Sequence, residues 1–395
     1  MEHAAIGKEV VILLLLVSVV IGVSRVKRFE CVPHSVFAVV LGMCVSYMGG
    51  QTAIFTPEAF LYFMLPPILF HSSLKFNIYS LRRTWLSSLM FSWMGTLMAV
   101  VLIAWGIMVW TRDTEVAMSM VEALLFASIL APTDTVSTLS LVAQIKSKKK
   151  NVTEEILEVL ENEAVMNDAI SVVLVRLFSW MMSTHTAMSR WVPMEVVLIS
   201  ALLSLVAMLV GILVAKMMNR LQVTDMTMHY VVPLMVYSLC ECVDISGILG
   251  LFVYGSMVTI PENMRESIGS LSLIIESSVY VMLGLALHTY DTASFGLSFL
   301  ILISCIVGRT VSVFTLGAFL RGCGRKEWGV GSLLFFSSSG VRGAISFALC
   351  QEVDNTFIKS TTFVVIIATM VIMGSLQKCL FHVLLIDRET DSIKV

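Results

Sequence analysis

Apolar residues come along this chain in long runs separated by short polar stretches. A helix needs about 20 apolar residues to cross ~30 Å of hydrocarbon. On that measure the sequence predicts an all-α, polytopic membrane protein of about thirteen spanning helices. They fall near residues 9–24, 34–49, 57–72, 85–110, 118–144, 154–182, 191–217, 227–242, 244–260, 266–289, 295–320, 327–350 and 357–385. The second, third, eighth and ninth segments are short, and the eighth and ninth are divided only around Glu241 to Ser246. The run from Val10 to Val23 could pass for a signal peptide, but it lacks a basic lead-in. Glu2 and Glu9 flank it and Lys8 stands alone, so it reads as the first membrane helix. No soluble domain is expected, and after residue 385 a short tail remains.

Positive charge orients these segments. With the N-terminus outside and the chain alternating, the inner loops and tail hold eighteen of the 26 lysines and arginines, the quartet Lys146, Lys148, Lys149 and Lys150 among them. The outer loops hold four: Lys8, Arg112, Arg190 and Lys359. That asymmetry is the positive-inside pattern, and a wrong helix count in the middle of the chain would have scrambled it. The expected orientation is N-terminus outside or lumenal and C-terminus cytoplasmic. Asn151-Val-Thr153 has the form of a glycosylation acceptor, but it falls on the inner side and is expected to be unmodified.

Composition agrees with the lipid setting. Hydrophobic residues make up 57% of the chain and charged residues only 14%, against about 25% in soluble domains. Mean hydropathy is +0.90. A net charge of -2 gives no hint of a nucleic-acid partner. The eight cysteines form no CxxC pair or Cys/His cluster, so neither a zinc site nor a disulfide framework is suggested. The 26 methionines read as adaptable filler between helices.

Against that background the charges inside the spans carry the information. Arg176, Arg309, Arg342 and Lys378 lie within segments, as do Asp134, Glu161, Glu163, Asp168, Glu241, Asp244 and Glu276. A charge at the bilayer centre costs at least ~2.5 kcal/mol, so such groups must pair, line water or bind ions. Two segments also carry helix breaks. The fifth reads Ala131-Pro132-Thr133-Asp134, and Pro132 removes a backbone donor in mid-membrane. The twelfth reads Gly340-Val-Arg342-Gly343, where two glycines loosen the helix around an arginine. Taken singly, a proline kink or a glycine packing face explains each. Paired interruptions in corresponding positions are the sequence pointer to a transporter site. Being seven segments apart, they run in opposite directions, as inverted repeats require.

The sixth segment reads Glu161-Asn-Glu163-Ala-Val-Met-Asn167-Asp168. Glu163 and Asn167 are four apart and share a helix face, with Asp168 about 100° round from Asn167. Ionised, a buried carboxyl offers hard oxygen ligands to a small cation; protonated, it is neutral and cheap to bury. A carboxyl taken out of water holds its proton more tightly, so H⁺ and Na⁺ can contest one group. An ion and a proton that exclude each other are thereby coupled. Two rivals come from other classes. A cation channel would need a continuous pore and usually oligomer symmetry. An inactive scaffold or sensor would keep the fold without the traffic. An intramembrane enzyme using Asp134 and Asp168 fits least, because it leaves the paired breaks unexplained.

These residues resemble the sodium/proton exchangers of the monovalent cation/proton antiporter family. Met64-Leu65-Pro66-Pro67-Ile-Leu-Phe-His71 is similar to its LPPI helix, the region linked to inhibitors. Pro132-Thr-Asp134-Thr resembles its segment-five break, and Glu163-Ala-Val-Met-Asn167-Asp168-Ala-Ile its acidic signature. Ile245-Ser-Gly-Ile-Leu-Gly, Ile275-Glu276-Ser-Ser-Val-Tyr-Val-Met-Leu-Gly, Gly308-Arg309 and Gly340-Val-Arg342-Gly343-Ala-Ile-Ser-Phe follow in family order. The resemblance implies a homodimer of thirteen-helix subunits in membrane lipid, carrying Na⁺ (with Li⁺ or K⁺ as alternatives) and H⁺ as substrates. It implies no cofactor and no enzymatic activity. Dimerisation or scaffold helices would occupy 1–81 and 223–291, a linker helix 185–222, and core transport helices 82–184 and 292–385, with a short tail at 386–395. The core would move as an elevator. Asp168 would carry ion and proton, helped by Asn167, Thr133 and Asp134, while Glu163 would pair with Arg309. Asn167, where some relatives have a second acid, implies electroneutral one-for-one exchange. Three departures stand out: Thr135 follows Asp134 where the family has proline, which would reshape the break, while Ala164 in place of the family's serine and Glu161-Asn162 in place of its Phe-Gly bear on ion preference.

Overall fold

A computed structural model describes residues 2–24, 34–48, 60–76, 78–134, 154–183, 194–223, 225–243, 245–286, 295–325 and 328–392. Among the described residues every regular element is helical. The helices are α1 (Glu2–Ser24), α2 (His34–Tyr47), α3 (Leu65–Lys75), α4 (Ile78–Leu89), α5 (Gly95–Thr111), α6 (Met120–Leu130) and α7 (Glu154–Ser183). Then follow α8 (Met194–Leu221), α9 (Met226–Cys242), α10 (Gly247–Met257), α11 (Glu262–Leu285), α12 (Phe295–Gly322), α13 (Val330–Ser338), α14 (Ala344–Gln351) and α15 (Thr356–Ser392). Short π-helical stretches, Phe60–Met64 and Met90–Met94, lead into α3 and α5. Among the described residues six helices are long and apolar enough to span a membrane, and four more are shorter and apolar. This is a multi-pass membrane protein.

Local chemistry sets the ends. Ser119 and Glu122 form a capping box at the start of α6, with 3.3 Å and 2.7 Å contacts that satisfy two otherwise orphaned N–H groups. Asp225 caps α9 and Ser246 caps α10, each with a single side-chain acceptor, for the N–H of Thr227 and of Leu249. Pro66 and Pro67 sit in the first turn of α3, where a missing N–H costs nothing. The chain is non-helical over 131–134, after α6 ends, and over 340–343 between α13 and α14. The last helix runs on past residue 385 to Ser392, because the polar residues there, including Asp387 and Arg388, contain neither proline nor glycine to stop it. Thr135, Asp244 and the Asn151–Thr153 triplet lie outside the described residues.

The chain forms two compact units. The first comprises residues 1–78, 171–291 and 348–356, and the second 79–170, 292–347 and 357–395. The division at Ser171 falls inside α7, a helix that the expected grouping keeps whole. In the first unit α11 packs along α2, and α8 along α10. In the second, α5 lies between α6 and α12. An aromatic knot of Phe91, Trp328 and Phe336 anchors its core, with Phe91 ring centroids 4.6 Å from each of the other two.

One feature of the second unit comes straight from residue spacing. Thr84, Ser88, Ser92 and Thr96 recur every fourth position, and all four are buried. In a regular helix a step of four overshoots one turn by about 40°, so four such residues would fan out over about 120°. A π turn takes about 4.4 residues, so Met90–Met94 takes back roughly 90° of that drift. The hydroxyls therefore stay near one face and meet α7. There Asn162 Nδ2 donates to Ser88 Oγ at 3.2 Å, and Thr96 Oγ1 donates to Asn167 Oδ1 at 2.7 Å.

Candidate functional site

The site is built in the second unit from α5, α7 and the two interruptions. The α6 helix ends at Leu130, just before Pro132, and the carbonyls of Ala131 and Pro132 accept from a side chain. Arg342, only 2% exposed, supplies donors: Nη1 bonds the oxygen of Ala131 and, at 3.3 Å, that of Pro132. A guanidinium here also meets the negative end of the α6 dipole. Ser346 Oγ reaches the Pro132 oxygen at 3.5 Å. The Asp134 N–H donates to the Val341 oxygen at 2.6 Å, and the Arg342 N–H to Thr369 Oγ1 at 3.1 Å. The interruptions thus satisfy each other's backbones, as irregular structure at membrane depth must.

Gly343 makes this meeting possible. A Cβ there would stand 2.5 Å from Asp134 Cβ. Gly343→Ala should therefore push the two segments apart, costing about 1–3 kcal/mol by overpacking. The thermal midpoint of the purified variant checks it; an unchanged midpoint would show that the contact can relax freely.

Asn167 ties the first interruption to the helices. Its Nδ2 donates to the Ala131 oxygen at 3.1 Å and to Thr133 Oγ1 at 3.2 Å, while its Oδ1 accepts from Thr96. Both ends of the amide are therefore occupied. Asp168, its neighbour, is the opposite case: it is buried, and its Oδ1 has no hydrogen-bond partner among the described residues. Two further carboxyl groups, Asp134 and Glu163, act on it electrostatically. Glu163 is held by Arg309 in a two-pronged pair, Oε1 to Nη1 at 2.5 Å and Oε2 to Nη2 at 3.1 Å. The Arg309 guanidinium lies 5.2 Å from the ring centre of Phe336. Ala164 is buried beside these residues and brings no oxygen.

Pro132, Thr133, Asp134, Glu163, Asn167, Asp168, Arg309, Gly340, Arg342 and Gly343 therefore share one unit. Leu65, Pro66 and Pro67 are in α3 of the other. That unit holds its own intramembrane pair, Arg176 to Glu241 at 2.5 Å, beside a cavity of about 700 Å³ walled by Tyr62, Trp180 and Tyr237. Sequence reasoning missed Thr96, Ser346 and Thr369. The four-residue hydroxyl spacing was a signal for Thr96; the other two enter through contacts distant in sequence.

A family model described as the transmembrane sodium/hydrogen exchanger matches residues 11–386, nearly the whole chain. The chain belongs to the sodium/hydrogen exchanger family. That family consists of ion transporters, not enzymes. Sodium/hydrogen exchanger 1 of Dictyostelium discoideum is 26% identical over 87% of this chain and 54% of its own length. Sodium/hydrogen exchanger 8 of Mus musculus is 22% identical over 88% of this chain and 66% of its length. The Na(+)/H(+) antiporter ApNhaP of Aphanothece halophytica is 22% identical over 94% and 75%. The chain thus spans about half to two thirds of the length of the first two relatives. In three dimensions it is similar to the sodium proton antiporter MjNhaP1 of Methanocaldococcus jannaschii, with a TM-score of 0.72 at 19% identity over 95% of this chain and 96% of that one. This exchanger-family chain shares that fold.

Proposed function

We propose that this chain is a secondary antiporter exchanging Na⁺ for H⁺, one for one, with Asp168 binding either cation in turn. The carrying observation is the contrast between neighbours: the Asn167 amide is fully committed, while the buried Asp168 carboxyl keeps an oxygen with no donor. An ionised carboxylate without donors in a low-dielectric site is costly. A proton or a small cation relieves that cost, and either excludes the other. Thr133 and Asp134, held at the interruption, are the additional oxygens offered to the cation. The names of the relatives support Na⁺ as the substrate, with Li⁺ and K⁺ as alternatives.

Alternating access follows from the same reading. Residues 82–184 and 292–385 are the moving core, and 1–81 with 223–291 the homodimeric scaffold, joined through 185–222. The separation into two compact units supports this division in part: residues 79–170, 292–347 and 357–395 group together, while 171–184 and 348–356 fall with the first unit. The positive-inside pattern supports an outer N-terminus and a cytoplasmic C-terminus. Purified protein in liposomes carrying an internal pH dye tests the function. Imposed Na⁺, Li⁺ and K⁺ gradients are expected to drive saturable proton counterflow; flux of cation without proton would indicate a channel, and no flux with any of the three an inactive scaffold.

Stoichiometry has its own test. With an amide at 167, a single carboxyl of the pair exchanges its charge. Asn167→Asp should therefore make transport sensitive to an imposed membrane potential. It should also slow transport, since a carboxylate cannot donate to the Ala131 oxygen. Voltage independence retained in an active variant counts against the one-for-one account.

A further inference from the structure

We propose that Thr96 is a positioning residue for the ion site: its hydroxyl fixes the Asn167 amide in the one orientation that holds the Ala131–Thr133 interruption beside Asp168. The inference rests on the proposed exchange at Asp168 and adds a residue outside the resemblance that led to it.

Hydrogen-bond polarity carries the argument. The Ala131 oxygen can only accept, and it faces the Asn167 side chain at 3.1 Å. The amide must therefore turn its NH₂ toward Ala131, which also serves Thr133 Oγ1 at 3.2 Å. That leaves Oδ1 pointing the other way, inside a residue only 2% exposed. A buried amide oxygen needs a donor, and the Thr96 hydroxyl is in place at 2.7 Å. Helical threonines ordinarily donate back to their own turn, and Thr96 also reaches the Ser92 oxygen. Its one proton is shared between these acceptors. Without the threonine donor, the buried Asn167 oxygen is left unsatisfied, and that cost loosens the amide's hold on the Ala131 oxygen and Thr133.

Local structure puts the hydroxyl there. Thr96 follows directly on the π stretch Met90–Met94 and Gly95, whose N–H bonds the Met90 oxygen five residues back. That wider turn carries the Thr84–Ser88–Ser92 row round onto the face that meets α7. A β-branched residue at 96 also limits the hydroxyl's rotamers, so the donor is aimed before the amide arrives. Thr96, Asn167 and Thr133 then form a strut from α5 through α7 to the interruption.

The test compares Thr96→Val, which keeps shape and removes the hydroxyl, with Thr96→Ser, which keeps the hydroxyl. Two readouts are taken on purified full-length protein: the Na⁺ concentration giving half-maximal proton flux in liposomes, and the Na⁺ dependence of the thermal midpoint. Thr96→Val is expected to weaken apparent Na⁺ affinity on the order of tenfold in both, with a smaller change in maximal rate, as befits loss of a donor to a buried acceptor. Thr96→Ser should recover most of that affinity. Unchanged Na⁺ affinity in a folded Thr96→Val protein overturns the proposal. So does a Thr96→Val protein that fails to fold while Thr96→Ser is normal, since the hydroxyl would then be structural. Wild-type protein that responds thermally to Na⁺ but moves no protons would sink the exchanger reading alone, leaving the affinity comparison to judge Thr96. Wild type without either response sinks both.

Discussion

Replacing Asp168 with asparagine should reduce Na⁺-driven proton flux to the background of protein-free liposomes, without loss of the folded protein. The two halves of that expectation have separate causes. Transport needs one group that is ionised when it binds Na⁺ and neutral when it binds H⁺; an amide is neutral throughout and has no proton to exchange near neutral pH. Folding does not need the charge. Asp168 is buried, and its Oδ1 receives no hydrogen bond among the described residues, so there the folded protein bears the cost of an unsatisfied acceptor. Removing the ionised form lowers that cost, by roughly 1–3 kcal/mol on the scale of buried polar groups. The thermal midpoint of Asp168→Asn should therefore equal or exceed the wild-type value, the familiar exchange of stability for function at a working site. Full transport in this variant would end the mechanism. A variant that no longer folds would make the carboxyl a structural element instead.

Why the site could be read so far from sequence, and no further, follows from the range of the forces involved. Pro132 interrupts a helix through its own missing N–H, a property of one residue, so the break after α6 was legible without any partner. Glu163, Asn167 and Asp168 lie within two turns of one helix, and their relative directions follow from helical geometry. Gly343 was legible as a loosened helix but not as what it is in space, the clearance for Asp134. Arg342 was visible as a charge in lipid, yet its partners are carbonyls 210 and 211 residues away. The same limit applied to Arg176 and Glu241, each a costly charge with its partner undetermined until α7 and α9 were placed. Thr96 was obscured for another reason: its place in the row of Thr84, Ser88, Ser92 and Thr96 could be counted, but what that row faces depends on a π stretch that periodicity at 3.6 residues does not reveal. The helix extending to Ser392 was underestimated because a hydrocarbon-length ruler says nothing about where a helix ends in water.

Breaking the Glu163–Arg309 pair should give the largest loss of stability of any single change in the second unit. The Glu163 side chain is fully buried and that of Arg309 is 7% exposed, at two contacts of 2.5 and 3.1 Å. The pair itself need contribute little net stability, since desolvation opposes the attraction, but a partner left alone bears the whole desolvation cost. Glu163→Gln leaves a guanidinium that cannot shed its proton facing a neutral amide that can accept only part of its donation, with the Phe336 face beside it, and should cost about 3–5 kcal/mol. Arg309→Gln strands the buried Glu163 carboxyl in turn, and thermal midpoints of the two single variants against wild type measure each loss. The charge-swapped double variant, Glu163→Arg with Arg309→Glu, should recover part of the loss and not all. The Arg309 stem lies against Gly340, where a Cβ would stand 3.1 Å from its Cγ, and the swapped pair gives up that fit. Equal midpoints for the swapped and single variants would mean that packing around the stem, and not the opposite charges, holds these helices in register.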